Sequence, residues 1–265
     1  MRRLLNISFA GAGNVAEALC KVMYLSGYKI DLIVSETETN NRLLAQQCNA
    51  SWSNELSFPD STDVIIVAVP DNRLEAVLNK IICSPETLVA HTAGSIGIDV
   101  FPARTKLRGV FYPLQTFSKN RQPDFTDLPF FIESPDIKSS EVLKNIAVSI
   151  GGQAFFVDTV QRRKLHLAAV FVNNFTNHML TIGKELSLDA GFNFTILEPL
   201  IKETIAKALE RGPEVSQTGP AVRNDQNTIK NHLELLSFSS ELQIIYRKMT
   251  DSIIEYHNNK DKRQK

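Results

Sequence analysis

The sequence predicts an α/β protein: a doubly wound, mostly parallel sheet over residues 1–157, followed by an all-α domain over 158–265. Three observations carry this prediction. An apolar run from Leu4 to Ala10 leads into Gly11-Ala12-Gly13-Asn14-Val15-Ala16, and a helical pattern follows. Strand-like apolar runs then alternate with amphipathic stretches as far as Val157. From Thr159 the strand pattern stops and only long amphipathic stretches remain.

The first observation is the most specific. Gly11 to Ala16 reads G-x-G-x-x-A, the form of the dinucleotide fingerprint whose third small residue is alanine, and it marks the first unit as Rossmann-type. Gly11 lets the chain turn out of the strand, Gly13 removes a Cβ that would hold a pyrophosphate off the backbone, and Ala16 lets the helix lie against its strand. The N–H groups at the helix start, with the helix dipole behind them, favour a pyrophosphate. Gly11, Ala12, Gly13, Asn14, Val15 and Ala16 are therefore the candidate cofactor loop.

The elements follow in order. Residues 15–26 have helical spacing, and Gly27 closes that helix. A second strand is expected over 29–34, a helix over 39–48, and a short third strand through 50–52. Residues 63–69 form an almost continuous β-branched run, as in a strand buried on both faces. Pro70-Asp71 ends it and a helix over 73–82 follows. Strands are expected over 87–91 and 107–112, then a polar, proline-bearing loop over 118–127. A strand at 128–132, a helix at 139–150 and a strand at 153–157 close the sheet. Helical stretches lie at about 160–188, 193–211, 225–236 and 238–258.

Composition narrows the function. The 265 residues are 43% hydrophobic and 22% charged, and Lys+Arg 29 balance Asp+Glu 29. No basic field points to nucleic acid or an anionic membrane. The charge-rich tail 260–265 reads as a fraying end. Cys20, Cys48 and Cys83 are odd in number and widely spaced, so they read as buried thiols and not as a disulfide framework or metal site. Met1-Arg2-Arg3 mimics a signal-peptide start, but the apolar run behind it is too short. No stretch is long enough to span a bilayer, and a cytoplasmic location is expected.

The choice of dinucleotide turns on the end of the second strand. Ser35 stands there, a neutral hydroxyl suited to a 2′-phosphate, and Arg42 in the next helix would supply charge; this favours NADP. A one-residue shift would put Glu36 in the position of the NAD-type acid, so NAD stays possible. Ligands bind beyond the carboxyl ends of such strands, so Val69 and Pro70 are placed beside the nicotinamide. His91, Thr92, Ser95 and Gln115 are placed near a small-molecule substrate. His91 reads equally well as a buried core histidine, and Ser95 as the N-cap of a short helix over 96–101. In the helical part, Lys164, Ala168, Phe171, Asn174 and His178 share one face, with His166, Val170, Asn173 and Asn177 beside it. His166 is the first candidate proton donor, because imidazole titrates near neutral pH, with Lys164 second and Asn174 as an orienter. Arg223, after a Gly219-Pro220 turn, is a further candidate substrate residue, and Asp225 or Asn224 beside it suits a helix cap.

These residues also carry a resemblance. The glycine loop, the turn 91–95, Phe111 to Phe117, Lys164 to Ala169 and Thr218-Gly219-Pro220-Ala221-Val222-Arg223 resemble a bacterial group of NADP oxidoreductases. That group joins a Rossmann-like domain to a helical domain of unknown function, and the resemblance covers nearly the whole chain. More widely, the chain is similar to the pyrroline-5-carboxylate reductase, 3-hydroxyisobutyrate dehydrogenase and ketopantoate reductase superfamily. The resemblance implies a fold, an NADP-type cofactor, and a helical domain, of 6-phosphogluconate dehydrogenase C-terminal type, that dimerises and closes the active-site cleft. Hydroxyacid dehydrogenases of that superfamily use a helix lysine with an asparagine one turn later, whereas Lys164 here has Ala168 at that place. The reading is hydride transfer between a nicotinamide and a small carbonyl, hydroxy acid or imine in a homodimer. Its rival is a non-catalytic dinucleotide sensor.

Overall fold

The computed structural model describes residues 5–119 and 121–263. The Met1-Arg2-Arg3 start, Leu4 and the last two residues of the basic tail lie outside them. β1 (Asn6–Ala10) leads through the glycine loop into α1 (Asn14–Leu25), β2 (Lys29–Val34), α2 (Glu38–Gln47) and β3 (Ser51–Ser53). β4 (Val64–Val67), α3 (Asp71–Leu78), β5 (Leu88–His91), a 3-10 turn (Ile98–Val100) and β6 (Arg108–Pro113) come next. β7 (Pro129–Glu133), α4 (Ile137–Ser149) and β8 (Gln153–Phe156) complete the sheet.

Its eight strands run in the order β3-β2-β1-β4-β5-β6-β7-β8. All neighbours are parallel except β6 and β7, where Phe111 faces Ile132 in an antiparallel pair. The order turns back between β1 and β4, so the loops that leave those two strands flank the point where ligands enter such sheets. All four residues of β4 are buried, as a β-branched run between two helical layers requires. One core layer packs Leu19, Met23, Leu143 and Ile146 on one face, and another packs Leu74, Leu78 and Phe101 on the opposite face.

Three local expectations change. α3 begins at Asp71, two residues early, because Pro70 sits at its N-cap with φ −54° and is pre-set for helix entry. Ser95 caps no helix: only the 3-10 turn forms, and its cap residue is Gly97. Of the three free thiols, Cys20 and Cys48 are buried, but Cys83 is partly exposed.

Beyond β8 the chain is helical. α5 (Thr159–Ala169) passes through a π-helical turn (Val170–Phe175) into α6 (Thr176–Asp189). α7 (Glu198–Arg211), α8 (Pro213–Ser216), α9 (Gln226–Leu235) and α10 (Ser240–Arg263) follow. Asp225 caps α9 by accepting the Thr228 N–H at 3.1 Å. The basic tail continues α10 as far as Arg263. The chain forms two compact units, Met1–Met179 and Leu180–Lys265. Among the described residues no helix is long and apolar enough to cross a membrane, and no cluster of side chains suits a metal.

Candidate active site

The glycine loop is tied at both ends. The Gly11 N–H donates to the Val34 carbonyl at 2.7 Å, locking the exit of β1 to the end of β2. Gly11 has φ +117°, and a Cβ there would run into the Ala68 carbonyl oxygen, so only glycine fits between β1 and β4. A Cβ on Gly13 would meet nothing within 4 Å, so its bare backbone faces open space. Ala16 is fully buried beneath α1, Val15 is partly buried, and Asn14 donates from its side chain to the Phe117 carbonyl at 3.1 Å. The first N–H groups of α1 have no partner within the helix and point out of its start.

A cavity of about 510 Å³ opens beside this loop. Gly11, Ala12, Gly13, Ser35, Val69 and Pro70 line it, joined by Glu36, Arg73 and Lys80. An open glycine backbone beside unpaired helix N–H groups, with hydroxyl, acid and cation further along the wall, fits the ADP half of a dinucleotide. Ser35 follows β2 directly and its Oγ accepts the Thr37 N–H at 3.3 Å. Arg42 is not part of the lining: it pairs with Glu38 at 3.0 Å and lies over the Trp52 ring at 4.8 Å. Arg73 instead faces Glu36 at 2.5 Å. Sequence reasoning missed Arg73 because it came from β4's helix and not from β2's.

A second constellation forms beyond the ends of β4, β5 and β6. Asp158 and Gln161 close a reciprocal capping box that fixes the start of α5. One turn on, Arg162 is fully buried; it donates to the Ala93 and Gly94 carbonyls at 3.2 and 2.8 Å and pairs with Glu133 at 2.7 Å. Glu133 also accepts the Thr159 hydroxyl at 2.6 Å. This clamp sets the rotation of α5. The next turn therefore presents His166, whose Nδ1 shares a hydrogen bond with the Tyr112 hydroxyl at 3.0 Å, the rings meeting edge-on at 71°.

Gly94 makes that meeting possible. A Cβ there would lie 2.6 Å from His166 Nδ1 and 2.8 Å from Tyr112 Cζ. Burial raises the Tyr112 phenol above its ordinary value and Asp71 adds to this, while Arg162 opposes it. Tyr112 is therefore a neutral O–H near neutral pH. Beside it the Ser95 hydroxyl donates to the Asp71 carboxylate, and Arg163 Nε donates to the Ser95 carbonyl at 2.8 Å. Asp71 directly follows Pro70 of the cavity wall, so the two constellations are joined along the chain. Tyr112 and Asp71 were legible as polar residues at the carboxyl ends of apolar strands, but single residues there give little signal.

The other candidates scatter. His91 is fully buried, its Nδ1 accepts the Ala93 N–H at 3.2 Å, and it stacks on Phe101 at 5.4 Å, which fits the buried core histidine of the two readings. Burial lowers its pKa to about 3, Arg162 contributing and the Gly97 backbone opposing. The Thr92 N–H is spent on the Val67 carbonyl at 3.1 Å. Gln115 is exposed and accepts the Thr116 N–H at 2.8 Å. Lys164 is exposed two residues before His166, off the Tyr112 face. Asn174 is exposed in the π turn, where it accepts from Asn173 at 3.4 Å. Arg223 is exposed in the second unit.

Comparison with known proteins identifies the family and the fold. Residues 6–94 match the family model described as "NADP oxidoreductase coenzyme F420-dependent", and residues 128–253 match a domain of unknown function, DUF2520. A crystal structure titled "putative NADP oxidoreductase" from Bacteroides fragilis is 39% identical, with a TM-score of 0.87 over 95% of this chain and 98% of that one. A Thermotoga maritima protein is similar at 20% identity, with a TM-score of 0.71 over 96% of this chain and 99% of the other. A pyrroline-5-carboxylate reductase from Coxiella burnetii shares the fold at 14% identity, with a TM-score of 0.59 over 97% and 98% of the two chains. No curated protein matches at a significant level. The chain belongs to the NAD(P)-dependent oxidoreductase family in which a Rossmann-type nucleotide unit is followed by this helical domain of unknown function.

Proposed function

We propose that the protein reduces or oxidises a small carbonyl, hydroxy-acid or imine substrate with NADPH as its preferred dinucleotide. The observation that carries this reading is the Tyr112–His166 hydrogen bond, set beyond the strand ends and joined through Asp71 to the wall of the nucleotide cavity. A bound nicotinamide supplies or accepts the hydride. Gly11, Gly13 and the start of α1 hold the pyrophosphate, and Val69 and Pro70 form the wall leading to the reacting end. In the reducing direction the substrate heteroatom gains a proton. The Tyr112 hydroxyl, backed by the His166 imidazole at 3.0 Å, is the group placed to deliver it. In the other direction the same pair takes that proton away. Ser95, held by Asp71, orients the substrate. Lys164 and Asn174 fall outside this chemistry.

In this reading residues 1–157 form the nucleotide domain and 158–265 the helical one, in a cytoplasmic homodimer built through the helical part. Its support is the apolar surface that part exposes, with Leu200 at 65% and Leu209 at 84%. The decisive experiment screens carbonyls and imines for oxidation of NADPH, then tests His166→Ala and Tyr112→Phe. Loss of turnover on the order of a hundredfold or more in His166→Ala, with nucleotide binding kept, is expected. Unchanged turnover removes the pair from the mechanism. NADPH that binds but is oxidised by no carbonyl or imine marks a sensor instead.

A further inference from the structure

We propose that Arg73, held against Glu36 across the nucleotide cavity, is the cation that reads the 2′-phosphate of NADPH, and that Glu36 is its opposing acid. The inference rests on the nucleotide reading above and deepens it. Glu36 lies two residues beyond β2, where the ribose of a dinucleotide is held in such folds, and Arg73 reaches it from the first turn of α3. Both line the cavity that contains Gly11 and Gly13. The pair meets through Arg73 Nη1 and Glu36 Oε2, with side chains 58% and 80% exposed. Solvent screens an ion pair this open, so little holds Arg73 to the carboxylate alone.

A guanidinium carries five N–H donors in a planar fork, and the bond to Glu36 uses one of its terminal nitrogens. The rest of the fork is matched to a phosphate dianion, which it grips bidentately and more strongly than a single carboxylate. Glu36 acts in the opposite sense. It accepts from the free 2′-hydroxyl of NADH and repels a 2′-phosphate unless Arg73 stands between them. Arg42, which pairs with Glu38 and lies over Trp52, is not among the residues that line this cavity. The ion pair thus sets the preference between the two dinucleotides, with Arg73 weighting it toward the phosphorylated one.

The test uses the full-length chain and calorimetric titration with NADPH, NADH, adenosine 2′,5′-bisphosphate and adenosine 5′-monophosphate. The last two differ only in the 2′-phosphate and report binding without turnover. Arg73→Ala should weaken NADPH and the bisphosphate about tenfold or more while leaving NADH and the monophosphate within about threefold. Glu36→Gln should move the ratio the other way, weakening NADH and keeping NADPH. Circular dichroism should show both variants folded, since the two side chains are exposed. A wild type that prefers NADH overturns the proposal. So does an Arg73→Ala variant that keeps the wild-type ratio, or a ratio that moves with Lys80→Ala instead. If the wild type binds neither dinucleotide, the nucleotide reading itself fails; if it binds both and only the Arg73 effect is missing, that reading stands and this inference alone falls.

Discussion

The protein should lose stability on mild acidification through one residue, His91. The imidazole is fully buried at the end of β5, and its Nδ1 accepts the Ala93 N–H. Burial penalises a positive charge there and Arg162 adds to the penalty, outweighing the Gly97 backbone that favours it, so the pKa falls to about 3 from the ordinary 6.5. The sign follows directly. Between those two values the unfolded chain binds a proton that the folded chain refuses, so stability is full above pH 6.5 and falls as pH drops toward 3. Each pH unit inside that window is worth about 1.4 kcal/mol, which makes the loss between pH 7.5 and pH 5 about 2 kcal/mol. The carboxylates held low by hydrogen bonds, Asp124, Asp136 and Asp225, lose their contribution only as pH falls to 3.8 and below, outside the interval from pH 7.5 to 5. Urea unfolding of wild type and His91→Asn at pH 7.5 and 5 isolates the effect, because the Asn side-chain oxygen still accepts the Ala93 N–H but cannot gain a proton. The variant's stability should fall by about 2 kcal/mol less than that of the wild type over this interval. Parallel curves would refute the reasoning.

Three further outcomes follow from particular contacts. Gly94→Ala places a methyl 2.6 Å from His166 Nδ1, so it should separate that ring from Tyr112 and cut turnover at least tenfold. Its affinity for NADPH should not change, which stopped-flow fluorescence against steady-state rates would check. Gly13→Asp should keep the wild-type melting temperature, since its Cβ meets nothing within 4 Å, yet abolish dinucleotide binding by setting a carboxylate against the pyrophosphate. Light scattering after size exclusion should give twice the mass of one chain, and Leu200→Asp with Leu209→Asp should halve it; a monomeric wild type would remove the dimer from the reading.

How much of this was legible in the sequence depends on the range of the interactions involved. The strands, and the glycine turn between β1 and α1, follow from local pattern: a β-branched run such as Val64–Val67 has few other ways to be buried. The antiparallel pairing of β7 to β6 did not follow, since pairing sense depends on where the long loop 114–128 returns the chain. The site divides along the same line. Gly11, Ser35 and Pro70 were found because each sits next to a strand end that the pattern fixes. Arg162 was not: in the sequence it is the middle of Gln161-Arg162-Arg163-Lys164 and reads as surface, and only the fold buries it between the Ala93 and Gly94 carbonyls and Glu133.

That burial is what orients His166. A helix turns by about 100° per residue, so a side chain four positions after a fully buried anchor returns to nearly the same face. Fixing Arg162 against the turn after β5 therefore aims His166 at β6, where Tyr112 waits and Gly94 leaves room. Lys164 lies two positions past the anchor, about 200° round, and is carried to solvent. The sequence pattern offers His166 as the first candidate acid and Lys164 as the second. Which of them meets Tyr112 is set by Glu133 on β7, an acid with no place in any motif, which holds Thr159 and Arg162 together and so sets the rotation of α5.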